Sequence, residues 1–484
     1  MGKKNIVING KPYQNVSNIK VRDVNGQDLH DFRNTDDATI ESKDIPIGKV
    51  GYGKDGIVIG TAVQTSGDGE INFYDQYGAW LTSYSLSDLP LSALPEIPAL
   101  EGAGADQYEF AWTMTLEEVN ALTEEADIGV DVTAKEGAKT YIIPNEKGFS
   151  SMYIYFYYEN ETGTFLVDWG DGTTTTVTTS SSSYQNINHS FVSPSHNPVA
   201  IEKVSGGDCG LAGIYSNLRE FRFGANVRSW RGNFQADYEL ERILFHNTFY
   251  FYNQTAKIFV NLYNIKSLNI PKSAKDISTE ADYVVDSCYS LESVFFHNGV
   301  ERTSGIANRA TSLKKIVLPS TYKELTKTRF VLDCTNLKTI KLPKTPVKIA
   351  ESNLIVDGSY ALEKIINVSS CVAESLGSCM IDCWGLKEFE VPNGVKTIGT
   401  YFCRYCYSLE SLIIPESVES IGSNFIAQCQ SLKQIIMKGT VPPVLAGLGT
   451  PPPNAILFVP EGFATAYATA TNWAKFAEGK IIEY

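Results

Sequence analysis

What this chain lacks narrows it quickly. It has no run of 18 apolar residues, so no segment is built to cross a membrane as a helix. Residues 1–10 lack the apolar stretch of a secretory signal, and Ile6 stands where a myristoylation signal after Met1-Gly2 wants Ser or Thr. Basic residues are outnumbered, 41 Lys and Arg against 55 Asp and Glu. The resulting net charge of −14 disfavours nucleic acid or an anionic membrane as a partner. Histidine is scarce: His30, His189, His196, His246 and His297, none spaced to put two ligands on one face. HExxH, GxSxG and P-loop patterns are missing. Gly48, Gly51, Gly53, Gly56 and Gly60 are not followed by Gly-Lys-Ser/Thr or an opening helix, so they read as loops and hairpins. The expectation is a non-enzymatic chain with no cofactor and no metal site. Carboxylates are plentiful, and a glycosidase pair among them is the enzymatic alternative.

What the chain has is a repeat. Taking a Leu or Ile as position zero, the anchors are Leu218, Leu240, Ile265, Leu291, Leu313, Leu337, Leu362, Leu386, Leu409 and Leu432, spaced 22 to 26 residues apart. Such a period with Leu at fixed offsets reads as a leucine-rich repeat solenoid. Position +3 is apolar in every copy, from Phe221 to Ile435. Position +5 is apolar in all but one, where Asn367 stands. These offsets predict a short strand with +3 and +5 facing inward, entered by a turn that drops the anchor into the same core. Pro271, Pro319, Pro343, Pro392 and Pro415 at +6 mark where that strand ends. Val284, Ile306, Phe330, Ile355, Phe402 and Phe425 at −7 supply a second wall. One coil buries little, and stacking builds the core.

The repeat absorbs residues that would otherwise suggest chemistry. Cys288, Cys334, Cys383, Cys406 and Cys429 fall at −3, and Cys379 takes a −7 slot, so they read as small buried apolar residues. The competing reading is a metal or redox site around Cys403-Arg-Tyr-Cys406; the odd total of nine argues against a full disulfide framework. His246 and His297 sit at +6, as strand-end residues. What the repeat leaves over are aromatics in its irregular early copies. Trp230, Phe249, Tyr250, Phe251 and Tyr252 are the candidate ligand-binding residues, since extra residues in a solenoid map to loops on one face.

Before the repeats, the chain reads as small β-rich units. Residues 1–62 hold short strands, with Asn9-Gly10 between apolar stretches as a hairpin signal. Residues 63–134 hold a hairpin over 70–84, a Pro-marked connection and a short helix opened by the capping box Thr115-Leu-Glu-Glu118. Residues 135–204 read as a β-sandwich with the β-prone run 152–158 and the turn Asp168-Trp-Gly-Asp-Gly172. Asp168 and Asp171 are few for a calcium site, so a hairpin turn with Trp169 packed inward is expected. The solenoid then spans 205–440, with a cap over 441–484.

Three resemblances accompany this reading. The repeats, with the lead-in Ile421-Gly-Ser-Asn-Phe425-Ile-Ala-Gln-Cys429, resemble the BspA-type leucine-rich repeat family of bacterial and phage surface proteins. Val441-Pro-Pro443, Phe458-Val-Pro460, Tyr467 and Asn472-Trp473 are similar to that family's C-terminal cap. Val167-Asp-Trp-Gly-Asp-Gly-Thr173 resembles the motif of PKD-like, immunoglobulin-fold modules. Ile71-Asn-Phe-Tyr-Asp-Gln-Tyr-Gly78 through Trp112-Thr-Met-Thr-Leu-Glu-Glu118 resembles a segment of tailed-phage minor structural proteins. Together they imply a mainly β virion protein, a head or tail fibre or decoration made in the host cytoplasm. Its N-terminal region would anchor in the particle among other virion proteins, the sandwich would act as a spacer, and the solenoid would bind a host-surface glycan or protein. A homo-oligomer is expected, with no nucleic-acid or membrane partner. The alternatives are a bacterial cell-surface adhesin, a polysaccharide-degrading tail enzyme, and a structural decoration without a receptor.

Overall fold

Short parallel strands, stacked one coil on the next, form most of the molecule. The computed structural model describes residues 69–484 apart from 159–160, 181–183, 232–233, 236–238, 252–257, 279–282, 327–328, 350–354 and 477–478. Of residues 1–68 it describes the backbone of six strands in three antiparallel pairs, including Lys4–Ile8 with Lys11–Val16.

Each coil has three walls. The strands Ser267–Ile270, Ser293–Phe296, Lys315–Val317, Thr339–Lys341 and Lys364–Ile366 pair in parallel, so that Leu268, Val294, Ile316, Ile340 and Ile365, the +3 residues, stack in register. A second five-stranded sheet continues this wall from Glu388–Glu390 to Ile481–Glu483. Of the −7 positions, Val284, Ile306, Phe330 and Ile355 lie in an eight-stranded sheet running from Phe234–Gln235 to Cys403–Arg404, and Cys379 and Phe402 directly precede its last two strands. Both walls follow the sequence pattern. The third wall does not. Its strands are mostly two residues long, such as Asp276–Ile277, Arg302–Thr303 and Thr397–Ile398. Strands this short show no alternation, and their only signal is a recurrent apolar residue at +12 such as Ile277, Leu325 and Ile398.

Between two walls the chain turns a left-handed corner at −4. Asn261, Ser287, Arg309, Asp333, Gly358, Asp382, Tyr405 and Gln428 all have positive φ there. Asn, Asp and Gly tolerate that region; Arg309, Tyr405 and Gln428 carry a strain of roughly 1–2 kcal/mol each. The corner aims the next residue, the −3 Cys, straight into the core, where Cys288, Cys334, Cys383, Cys406 and Cys429 are buried. Asn367, the exception at +5, also has positive φ and donates from its side-chain amide to the Leu342 carbonyl at 2.9 Å. The first inner sheet ends in that coil and the second begins in the next.

The sandwich is not a separate spacer. Leu218–Arg222 pairs with Thr140–Pro144, and Val227–Trp230 pairs with Cys209–Tyr215, so the first coils extend both sandwich sheets. Val199–Gly206 runs through residue 204, and Cys209–Tyr215 pairs with the long strand Phe149–Tyr158. One apolar core runs from Ile142 to Phe476. At the far end Tyr467, Trp473 and Phe476 are fully buried. Trp473 Nε1 donates to the Pro443 carbonyl at 2.8 Å, covering an edge that would otherwise template further pairing.

Residues 69–134 form two small sheets and the short helix Leu116–Asn120, opened by the Thr115–Glu118 capping box as expected. They lie on the solenoid. The outward +4 side chains of the early copies, Arg222, Leu244, Asn269 and Phe295, are covered by this unit. Leu244 packs with Tyr77, Tyr108, Val130 and Val132. A Cβ on Gly129 would collide with the Phe295 ring at 2.2 Å, and one on Gly78 with the Leu268 carbonyl at 2.3 Å. Asn269 donates to the carbonyls of Gln76 and Val130, both at 3.2 Å.

Candidate ligand-binding surface

Three of the five residues singled out as an aromatic binding patch form core instead. Trp230, Phe249 and Phe251 are buried. Trp230 stacks on Phe234 at 3.9 Å, and Phe249 packs on Phe223 at 4.2 Å. The extra aromatics fill a thicker coil where the sandwich sheets pass into the solenoid. Tyr250 is half-buried, and Tyr252 lies outside the described residues.

Histidines and cysteines also have structural settings. The His246 Nδ1 accepts from the Thr248 hydroxyl at 2.9 Å and Nε2 faces the Val227 carbonyl at 3.4 Å, the pattern of a neutral ring. Burial lowers its pKa from 6.5 to about 4. His297 is buried under the docked unit, its Nε2 at 2.7 Å from Asn269 Oδ1 and its Nδ1 at 3.3 Å from Asp131. The His297 ring and Lys272 hold the Asp131 carboxyl below its ordinary range. Burial pushes the Cys334 and Cys371 thiols up to about 12, far from a reactive thiolate. In the sandwich turn, Asp171 accepts from Thr173 through Oδ1 and meets His189 through Oδ2 at 2.7 Å. These contacts bring its pKa down to about 2, and Trp169 is fully buried against His189. Among the described residues, no group of three or more His, Cys, Asp or Glu is placed to hold a metal ion.

A regular row remains on the outside. The residue at −2 follows the buried Cys and stands on a coil edge. Tyr263, Tyr289, Tyr360, Trp384 and Tyr407 occupy it and are 37 to 43% exposed. Thr311 and Thr335 divide the row in two, and along its later part the amides of Ala361, Gly385 and Ser408 donate to the carbonyls of Thr335, Tyr360 and Trp384. Tyr360 and Trp384 stack at 4.3 Å, Tyr407 follows Trp384 at 5.9 Å, and Tyr263 stacks with Tyr289 at 5.5 Å. Trp384 Nε1 donates to Asp382 at 3.3 Å, which fixes the indole. Beside the row Asp357 is held above its ordinary pKa range by burial and by the charges of Asp382 and Asp333. Stacked rings present edges and hydroxyls outward, so this surface suits hydrogen-bonding partners more than flat apolar ones. The signal was available in the sequence, one position past the Cys column.

A groove of about 410 Å³ lies where the docked unit meets the strand-end turns, lined by Asp127, Asp131, His297, Lys341 and Lys344 among others. Its charges are paired across the junction: Lys315 with Asp127 at 2.8 Å and Lys341 with Glu125 at 3.1 Å.

This architecture defines a leucine-rich repeat β-solenoid. Its repeats match the family described as BspA type leucine rich repeat region, in six copies, over residues 214–333, 254–356 and 307–433. A solved leucine-rich repeat protein from Bacteroides ovatus is 18% identical, with 54% of this chain and 77% of that one covered and a TM-score of 0.34. One from Eubacterium ventriosum is 17% identical, covering 52% and 73%, with a TM-score of 0.26. A leucine rich cell surface protein from Faecalibacterium prausnitzii is 14% identical, covering 48% and 91%, with a TM-score of 0.20. Among curated proteins nothing matches. No helix among the described residues is long and apolar enough to cross a membrane.

Proposed function

We propose that this chain is a non-enzymatic adhesion protein that presents the exposed edge of its solenoid to a host-surface glycan or protein. The observation that carries the reading is the −2 row, where Tyr360, Trp384 and Tyr407 stand exposed and in ring contact on successive coils. The resemblance of residues 71–118 to tailed-phage structural proteins supports a place on a virion, held through residues 1–62. Many copies per particle would turn weak contacts into avidity. A bacterial cell-surface adhesin is the second reading, favoured by the repeats of residues 214–433.

Fluorescently labelled full-length chain, incubated with host cells, tests the binding claim. Saturable binding that falls with Trp384→Ala is the expected result. Undiminished binding by that variant, or release of reducing sugar from host capsule, overturns it. Immunogold labelling of purified virions and of intact cells separates the two placements.

A further inference from the structure

Away from the solenoid edge, the sandwich has an open sheet face built from tyrosine. Along Phe149–Tyr158, alternate residues Tyr153 and Tyr155 point outward, Tyr157 on the same side is covered at 3% exposure, and Met152, Ile154 and Phe156 fill the core. Alternate residues stand about 6.8 Å apart, which sets the spacing of Tyr153 and Tyr155. Paired residues in neighbouring strands share a face. On one side Tyr153 and Tyr155 lie opposite Asn188 and Asn186, both exposed. On the other, Tyr153 lies opposite Tyr215 and Tyr155 opposite Gly213. Tyr153 is 44% and Tyr215 54% exposed, and Tyr155 meets Tyr215 edge to face at 5.9 Å. Gly213 leaves a floor without a side chain beside these rings. The next row runs Tyr157, Gly210, Ser229, Tyr250, which places Tyr250 on this same face. The Tyr157 ring occupies the space a Cβ on Gly210 would need, at 2.1 Å. Arg231 lies 5.5 Å over Tyr184 at the margin.

We propose that this face is a glycan-binding platform for an extended, uncharged sugar chain, with Tyr153, Tyr155 and Tyr215 as stacking groups around the Gly213 floor and Asn186 and Asn188 as hydrogen-bonding partners. The chemistry of the face selects the ligand. Pyranose rings carry apolar C–H faces that suit the negative face of an aromatic ring, and hydroxyl rims that suit amides and phenols. Charge selects further. In a chain of net charge −14, the outward residues of these strands are Tyr, Asn, Ser, Gly and Val, with Arg231 at the margin and no carboxylate among those described. That matches an uncharged polymer, whereas the solenoid edge, flanked by Asp333, Asp357 and Asp382, is acidic. Rings about 6.8 Å apart along the strand, with Tyr215 alongside, offer stacking positions to more than one sugar of a chain. The face lies on the sandwich, and so stands or falls separately from adhesion through the −2 row.

Affinity electrophoresis of the full chain through gels containing a soluble β-1,3-glucan, a xylan or a galactomannan, with polygalacturonate as the anionic comparison, tests this. At least one neutral polymer should retard the protein. Tyr153→Ala with Tyr155→Ala should weaken that interaction roughly 10-fold or more. Tyr153→Phe with Tyr155→Phe keeps the rings and should retain most of it, which separates stacking from misfolding. Trp80→Ala, at an exposed ring outside both surfaces, should leave it unchanged. Retardation by no neutral polymer, by polygalacturonate alone, or equally for wild type and the double Ala variant overturns the platform. Loss on Trp384→Ala but not on the double Ala variant moves the sugar to the solenoid edge and likewise overturns it.

Discussion

The two halves of the solenoid follow one repeat but bury different chemistry. In the half from Leu218 to Leu337, a second unit lies on the outer face, and ionisable groups are trapped between them. Glu220 is fully buried and receives the Tyr77 hydroxyl at 2.5 Å, Arg222 Nε at 2.6 Å and Arg242 Nη2 at 2.7 Å. Burial and the Glu220 charge push the Tyr77 phenol far up, so it remains a donor. Arg222 reaches across to the carbonyls of Ala103 and Glu101. From Leu362 onward the repeat buries a denser set of free cysteines, Cys379, Cys383, Cys403, Cys406 and Cys429. The same coil geometry thus serves as a docking bed in one half and as a free-standing scaffold in the other. The residues that point out of the inner strand, at +2 and +4, differ too: Glu220, Arg222, Leu244, Asn269 and Phe295 meet the unit, whereas beyond it Glu390 stands at +4 and Ile413 and Ile436 pack with Phe458.

The strongest way to break this comparison is at Glu220. Glu220→Ala leaves Arg222 buried without its carboxylate and removes the acceptor of Tyr77. Losing one partner of a buried pair costs about 3–5 kcal/mol. Urea unfolding should show that loss, and limited proteolysis should cleave residues 69–134 sooner. A loss under about 1 kcal/mol would mean that the charged cluster does not hold the unit down.

Acid should weaken the covered half through His246. Its folded-state pKa of about 4 lies below the ordinary 6.5 because burial disfavours the charged ring, with Arg228 adding to the effect and Asp208 opposing it. An unfolded chain therefore takes up a proton that the folded chain refuses. The stabilisation is complete above about pH 6.5 and is lost as pH falls toward 4, by up to about 3 kcal/mol. The difference in melting temperature between pH 7 and pH 4.5 should shrink in His246→Asn. An identical difference in wild type and variant would remove His246 as the acid-sensitive group.

Much of this fold could be read from the sequence because solenoid cores are periodic. Anchors, the +3 and +5 positions, the −3 Cys column and the −7 wall all recur, and all face one core. The docking of residues 69–134 could not be read. It depends on +4 side chains, which differ from copy to copy because they meet a different part of the unit in each coil. The candidate site failed for a related reason. Phe249 and Phe251 stood out because they break the repeat, but a break in a solenoid also makes a wider coil, and wider coils need larger side chains inside. The surface aromatics were hidden by being regular.

The smallest expected effect sharpens the difference between scaffold and surface. The −2 slot holds Tyr360, Trp384 and Tyr407 in the open half, yet Thr311 and Thr335 fill it in the covered half without breaking the stack. The fold therefore does not need an aromatic there. Trp384→Ala removes the 4.3 Å stack on Tyr360 and the bond to Asp382, contacts of a side chain that is 43% exposed. An aromatic pair contributes about 0.5–1.5 kcal/mol beyond its buried area, and partial exposure puts the expected loss near the lower end. Chemical denaturation of the two proteins measures it. A loss well above about 2 kcal/mol would show the aromatic column to be a strut of the open half, and the selection of large rings at an exposed edge would then need no ligand to explain it.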